Sequence, residues 1–166
     1  MSGRDSARPF TGESFFLGCD HAGYEMKQKI KEYLLAAGNL VEDLQEDFRE
    51  RIDFPPVAEK VGRAVASRPG AYGILVCGTG IGVSMAANKV PGVRAAVLYD
   101  ELAAQYARRH NDANVLTFGS RTMEFEDVRL RLETFFSHEP EGGKYAERNQ
   151  YMERMDIERQ SNASGG

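Results

Sequence analysis

Five times along this chain a short unbroken apolar run gives way to a turn and then to apolar residues at helical spacing. Phe15-Phe-Leu-Gly18 stops at Cys19-Asp-His-Ala-Gly23, and Met26, Ile30, Tyr33, Leu34 and Ala37 then fall on one helical face that Gly38 closes as a C′ residue. The unit recurs as strands over 40–44, 72–76, 93–98 and 114–118, followed by helices over 55–66, 81–88, 101–109 and 124–136. Apolar runs bounded by glycine, without alternating polar residues, predict strands covered on both faces and therefore a parallel sheet between helices. The expected fold is α/β: a three-layer αβα sandwich with a five-stranded parallel Rossmann-like sheet, plus a C-terminal helix. Doubly wound sheets bind ligands outside the carboxyl ends of their strands. The loops to search are therefore those holding Cys19-Asp20-His21, residues 77–82, Tyr99-Asp100 and Gly119-Ser-Arg121.

At 166 residues the chain suits one core, which typically serves roughly 100 to 200 residues. We divide it into a flexible N-terminal arm (1–14), a single domain (15–160) and a fraying tail (161–166). A net charge of -4 leaves no broad basic footprint, which argues against nucleic acid or an anionic membrane as the main partner. Any phosphate site must be small and focused. No stretch approaches the roughly 18 apolar residues of a membrane span, and the chain reads as cytoplasmic. Cys19 and Cys77 are expected to be free thiols. Met152, Met155 and Tyr151, on a helix from Lys144 onward, form a narrow apolar stripe that can dock on its own domain or on a partner.

The turn Val76-Cys-Gly-Thr-Gly-Ile-Gly82 lies where a strand hands over to a helix. Glycines there let backbone N–H groups approach a ligand, and the helix start favours an anion or a developing oxyanion. The spacing is GxGxG, not the GxGxxG of dinucleotide folds, and no Gly-Lys-Ser/Thr completes a P-loop. A thiol at Cys77 sits in a field that favours its thiolate, as base or nucleophile; the plainer alternative is a small buried apolar residue. Thr79 is either a proton-handling hydroxyl or an ordinary helix N-cap. Asp20 and His21 are suited to sugar hydroxyls and phosphate, although an Asp in a turn commonly bonds its own backbone. His110 ends a helix, where a cation meets the helix dipole, but it can equally present an imidazole beside a cleft with Asn111. Lys144 and Arg148, at i and i+4, share a helical face that is solvated unless an anion site lies near. With three histidines and no HxH, HExxH or CxxC, no metal site is expected.

Taken in order, Gly18-Cys-Asp-His-Ala-Gly23, the turn at 76–82 with Ala86-Ala-Asn-Lys89, and His110-Asn-Asp-Ala-Asn114 with Phe118-Gly-Ser-Arg121 resemble the type B ribose-5-phosphate isomerases. The similarity runs from about Phe15 to Arg148. It implies metal-free and cofactor-free aldose–ketose isomerisation of a sugar phosphate through a cis-enediolate. By position, Cys77 matches the base that moves the proton between C1 and C2, and Thr79 the hydroxyl that shuttles the proton between O1 and O2. His110 matches the residue that opens the furanose ring, and Asp20 a carboxylate that holds the ring oxygen or hydroxyls. The backbone amides of residues 78–84, including Gly78, Gly80, Gly82, Val83 and Ser84, match the enediolate cradle. His21, Arg121, Lys144 and Arg148 match the phosphate cradle, and Asn111 a sugar contact. The resemblance also implies a homodimer or tetramer with each site built from two subunits.

Two departures bear on this. Lys144 stands where many relatives have arginine, which replaces a bidentate clamp by a point charge. The segment 45–53 and Phe54-Pro-Pro56 differ from the Asp-Tyr-Pro usual there, which can reshape the sugar end of the pocket. Rival readings are an isomerase of a six-carbon sugar phosphate (allose or galactose 6-phosphate), a non-catalytic sugar-phosphate-binding protein on the same fold, and a metal-dependent isomerase.

Overall fold

The computed structural model describes residues 10–48 and 51–165. The elements run β1 (Ser14–Cys19), α1 (Tyr24–Ala36), β2 (Leu40–Asp43), α2 (Phe54–Ser67), β3 (Tyr72–Cys77), α3 (Ile81–Ala87), β4 (Ala95–Val97), α4 (Glu101–Arg109), β5 (Val115–Gly119), α5 (Phe125–Phe136) and α6 (Lys144–Ser164). All strand pairs are parallel, in the order β2-β1-β3-β5-β4. The strand period of two sends Ile74 and Val76 into one apolar cluster with α1, α4 and α5, and Leu75 and Cys77 into another with α2 and α3. This is the expected three-layer sandwich. Cys19 and Cys77 lie in opposite clusters, across the sheet from each other.

Two-sided burial holds for β1, β3 and β5 but not for the sheet edges. Leu40 on β2 is 68% exposed, and β4 is three half-buried residues, shorter than the apolar run 93–98 suggested. An edge strand has one neighbour and incomplete helix cover, so apolar composition alone overstates its burial. The chain leaves β1 toward one edge and β3 toward the other. That switch places the turns after β1 and β3 side by side at the carboxyl edge of the sheet.

Both termini depart from expectation. Phe10 stacks on Phe136 with ring centroids 4.3 Å apart, and Gly12 N–H donates to the Gly38 carbonyl, so residues 10–14 belong to the fold; the rest of the expected arm lies outside the described residues. Helix α6 runs to Ser164, four residues into the stretch expected to fray, with the Ser161 and Ser164 hydroxyls bonded to carbonyls one turn back. Yet α6 buries none of its residues. Its apolar stripe is only partly covered, with Met152 and Met155 on the wall of a groove of about 640 Å³ shared with β4 and α4.

Lys27 in α1 is fully buried, and its ammonium donates to both Asp43 carboxylate oxygens at 2.7 Å. Burial alone would raise the Asp43 carboxyl, but Lys27 and the Gln45 amide hold it below its ordinary value. The pair ties the end of β2 to α1, directly beneath the loop that leads toward the candidate site.

Candidate active site

Cys77 is the last residue of β3 and only 5% exposed, and its Sγ accepts the Gly80 N–H at 3.1 Å. That contact needs the chain to double back within three residues, which Gly80 permits at φ +79°. The turn is fastened to the strand beside it: Ser120 N–H donates to the Cys77 carbonyl at 2.8 Å, and Arg121 N–H to the Gly78 carbonyl at 2.9 Å. The helix N-cap is Gly80 and not Thr79, whose Oγ1 instead accepts the Ile81 N–H at 3.2 Å. Three amides expected to face a ligand are thus used internally: Gly80 on Cys77, Ile81 on Thr79, and Ser84 on the Gly80 carbonyl at 3.4 Å. Among the described residues nothing accepts from the amides of Gly78, Thr79, Gly82 and Val83. Four open donors beside a thiol can stabilise an oxyanion formed when a neighbouring carbon loses a proton.

Asp20 begins the turn after β1, and its Oδ1 accepts the Gly23 N–H at 3.0 Å, as an Asp in a turn commonly does. Its second carboxylate oxygen has no partner among the described residues. His21 is exposed, with Nδ1 3.3 Å from the Ile52 carbonyl. The Arg121 guanidinium lies over the glycine turn: a Cβ built at Gly78 would stand 3.2 Å from its Nη1. Arg121 has no carboxylate partner among the described residues, unlike Arg94, Arg108 and Arg109, which are all ion-paired. The Phe54 ring covers Gly82, where an added Cβ would approach it to 3.0 Å.

The remaining candidates gather elsewhere. His110 is the C-cap of α4, its ring sandwiched between Tyr106 at 4.4 Å and Tyr145 at 3.9 Å, the latter 5° from parallel. Lys144 Nζ and the Arg148 guanidinium carbon lie 5.1 and 5.6 Å from the Tyr145 ring centre, and both cations lack a carboxylate partner among the described residues. Arg94 Nε donates to the Asn111 carbonyl at 3.1 Å, and Asn149 Nδ2 to the His110 carbonyl at 3.1 Å. Because α4 returns the chain to the start of the next strand, this group lies at the amino edge of the sheet. Arg108 accordingly bonds the hydroxyl of Tyr72, the first residue of β3. Cys77 is at the other end of that strand, roughly 16 Å away at about 3.3 Å per residue.

The structure therefore brings Asp20, His21, Cys77, Thr79, Gly78, Gly82, Val83 and Arg121 together on one edge, and His110, Asn111, Lys144 and Arg148 on the other. Within one chain it does not bring the two sets together. Sequence reasoning missed Tyr145 and Tyr106 as walls of the His110 slot; Tyr106 at i−4 from His110 was a visible signal, whereas Tyr145 is remote in sequence.

The two thiols differ. Burial pushes Cys19 up to about 12, against the opposing pull of the Lys27 ammonium, so it stays a neutral thiol at ordinary pH. Brief treatment with iodoacetamide at pH 8 is expected to modify Cys77 and spare Cys19, read by peptide mass spectrometry. Modification of Cys19 first would remove Cys77 as the reactive thiol. Among the described residues no three His, Cys, Asp or Glu side chains cluster to hold a metal ion, and no helix is long and apolar enough to cross a membrane.

A family model described as Ribose/Galactose Isomerase matches residues 15–152. The chain is 42% identical over 131 residues to ribose-5-phosphate isomerase B of Escherichia coli, covering 79% of this chain and 88% of that protein. It is 40% identical over 105 residues to a galactose-6-phosphate isomerase subunit of Clostridium acetobutylicum, covering 63% of this chain and 61% of that one. Among solved structures, ribose-5-phosphate isomerase B of Clostridium thermocellum superposes with a TM-score of 0.84 at 37% identity, covering 87% of this chain and 98% of its own. The type B ribose 5-phosphate isomerase of Trypanosoma brucei gives 0.81 at 37% identity, covering 87% and 99%.

Proposed function

Since the chain belongs to the ribose/galactose isomerase family and is an aldose–ketose isomerase, we propose that it interconverts D-ribose 5-phosphate and D-ribulose 5-phosphate, in the cytoplasm and in the pentose phosphate pathway. Cys77, as thiolate, takes the proton from C2 of the open-chain aldose. The negative charge that develops on the oxygens falls among the open amides of residues 78–83. Thr79 carries the hydroxyl proton between O1 and O2, and the Cys77 thiol returns its proton to C1. Asp20 holds a sugar hydroxyl through its unoccupied carboxylate oxygen, and on the same edge the Arg121 guanidinium and the His21 imidazole contact the phosphate.

Ring opening falls to His110, with Asn111 on the sugar and Lys144 and Arg148 completing the phosphate cradle. The single observation that supports a shared site is the placement of these two sets on opposite edges of the sheet, each incomplete alone. We read the working unit as a homodimer, or a tetramer of such pairs, in which one copy supplies the Cys77 edge and the other the His110 edge.

Complementation tests this. Cys77→Ala and His110→Ala are each expected to be inactive, and refolding them together restores about a quarter of wild-type turnover, because half the dimers are mixed and each holds one intact site. No recovery from two variants that are each inactive means that both sets act within one copy, and an active single variant means that the residue it lacks has no role. The similarity to a galactose-6-phosphate isomerase subunit supports a second reading, a six-carbon substrate. Comparing kcat/KM for ribose 5-phosphate and allose 6-phosphate decides between them; a ratio above ten in favour of the hexose would replace the pentose assignment. Binding without solvent deuterium entering C2 would mark a non-catalytic binder.

A further inference from the structure

Thr117 sits in the middle of β5, fully buried, in a strand otherwise made of Val115, Leu116, Phe118 and Gly119. A hydroxyl in such a place is costly unless it is bonded. Its Oγ1 donates to the Gly80 carbonyl at 2.8 Å; the Ala96 carbonyl, at 3.5 Å, is the weaker alternative for its one proton. The Gly80 carbonyl and the Ile81 N–H are the two ends of one peptide group, and that N–H donates to Thr79 Oγ1 at 3.2 Å. Thr117, the peptide and Thr79 thus form a single chain of aligned donors and acceptors, in which each bond polarises the next. Thr79 Oγ1 accepts that bond, and among the described residues nothing accepts the proton of its own hydroxyl. Cys77 is bonded by the Gly80 N–H, which belongs to the preceding peptide.

We propose that Thr117 is a positioning residue for Thr79, holding through the peptide that joins Gly80 to Ile81 the hydroxyl that passes the proton between the two sugar oxygens. The inference rests on the isomerase reading above. It predicts that losing the Thr117 hydroxyl slows the oxygen-to-oxygen transfer and leaves carbon deprotonation by Cys77 largely intact. An enediolate formed but not passed on returns to the aldose, taking its C2 proton from a thiol that has exchanged with solvent.

The test compares wild type, Thr117→Val and Thr117→Ser in deuterium oxide, measuring ribulose 5-phosphate formed and deuterium washed into C2 of unreacted ribose 5-phosphate. Thr117→Val keeps the shape and loses the hydroxyl; it is expected to lower kcat about tenfold with KM within about twofold, and to raise the ratio of exchange to conversion several-fold. Thr117→Ser keeps the hydroxyl and is expected to restore both. A Thr117→Val enzyme, folded by circular dichroism, with the wild-type ratio overturns the proposal, whether its turnover is normal or reduced, because a generally loosened turn slows exchange and conversion together. If Thr117→Val does not fold, a Thr117→Ser enzyme with an altered ratio overturns it and one with the wild-type ratio upholds it. A wild-type protein that neither converts nor exchanges ribose 5-phosphate overturns the isomerase reading itself, and this inference with it.

Discussion

Cys77→Ala is expected to lower kcat for ribose 5-phosphate by about 10³-fold or more, near the upper range for removal of a general base. The sulfur is the one group in the glycine turn able to accept a proton from carbon, and at 5% exposure bulk water has little access to replace it. The fold survives the change. Removing one sulfur from the cluster it shares with Val83 and Ala87 leaves a small cavity, a loss of about 1–2 kcal/mol. The Gly80 amide merely loses an acceptor in a turn still fastened through the Ser120 and Arg121 amides. Cys77→Ser separates the two roles of the sulfur: a hydroxyl can accept the Gly80 N–H but is far too weak an acid to supply the base. Stopped assays of both variants, with circular dichroism to confirm folding, check the prediction. Activity above about a tenth of wild type in either variant would remove Cys77 from the proton transfer.

Gly119→Ala is the second large effect, and it reaches the same turn from outside. A Cβ at Gly119 would stand 2.6 Å from the Thr79 carbonyl carbon and 2.7 Å from its Cα. It would also stand 2.3 Å from Thr122 Oγ1; that hydroxyl can rotate away, whereas the Thr79 backbone cannot. The turn must move. Overpacking of this kind costs about 1–3 kcal/mol, and displacing catalytic groups by about 1 Å costs about 100-fold in rate. The expected result is a kcat reduced about 100-fold and a thermal midpoint lower by about 3–10 °C, read by calorimetry on the same sample. Gly142→Ala, where nothing lies within 4 Å of the new carbon, is the silent control. A Gly119→Ala enzyme that matches this control in rate would mean the turn tolerates displacement.

What the sequence made legible follows from where burial is two-sided. Strands β1, β3 and β5 are covered on both faces, so their apolar runs and the glycines that end them mark the sheet and the loops at its carboxyl edge within a residue or two. The edge strands β2 and β4 obey weaker rules, and the run 93–98 reads longer than the strand it contains. Phe10 carries no period, lying alone among polar residues, so its place against Phe136 is visible only in three dimensions. The turn at 77–82 was readable as an anion cradle because three glycines at a strand end have few other uses. Which amides stay open was not readable, since that depends on the φ of Gly80 and on Thr117, which lies 37 residues further along the chain. The resemblance assigns His110 and Cys77 to one site; the returning path of α4 places His110 at the far edge. The difference is one of topology, which residue types do not encode.

The stacking of His110 constrains how anything can meet it. Its two faces are closed by Tyr106 and Tyr145, and both ring nitrogens lie in the plane between them, so a ligand must come in edge-on, as a card enters a slot. One of those nitrogens, Nε2, lies 3.9 Å from the Glu141 carboxylate. A side chain confined in this way has given up its ring rotation during folding, and contact with a substrate costs it little further freedom.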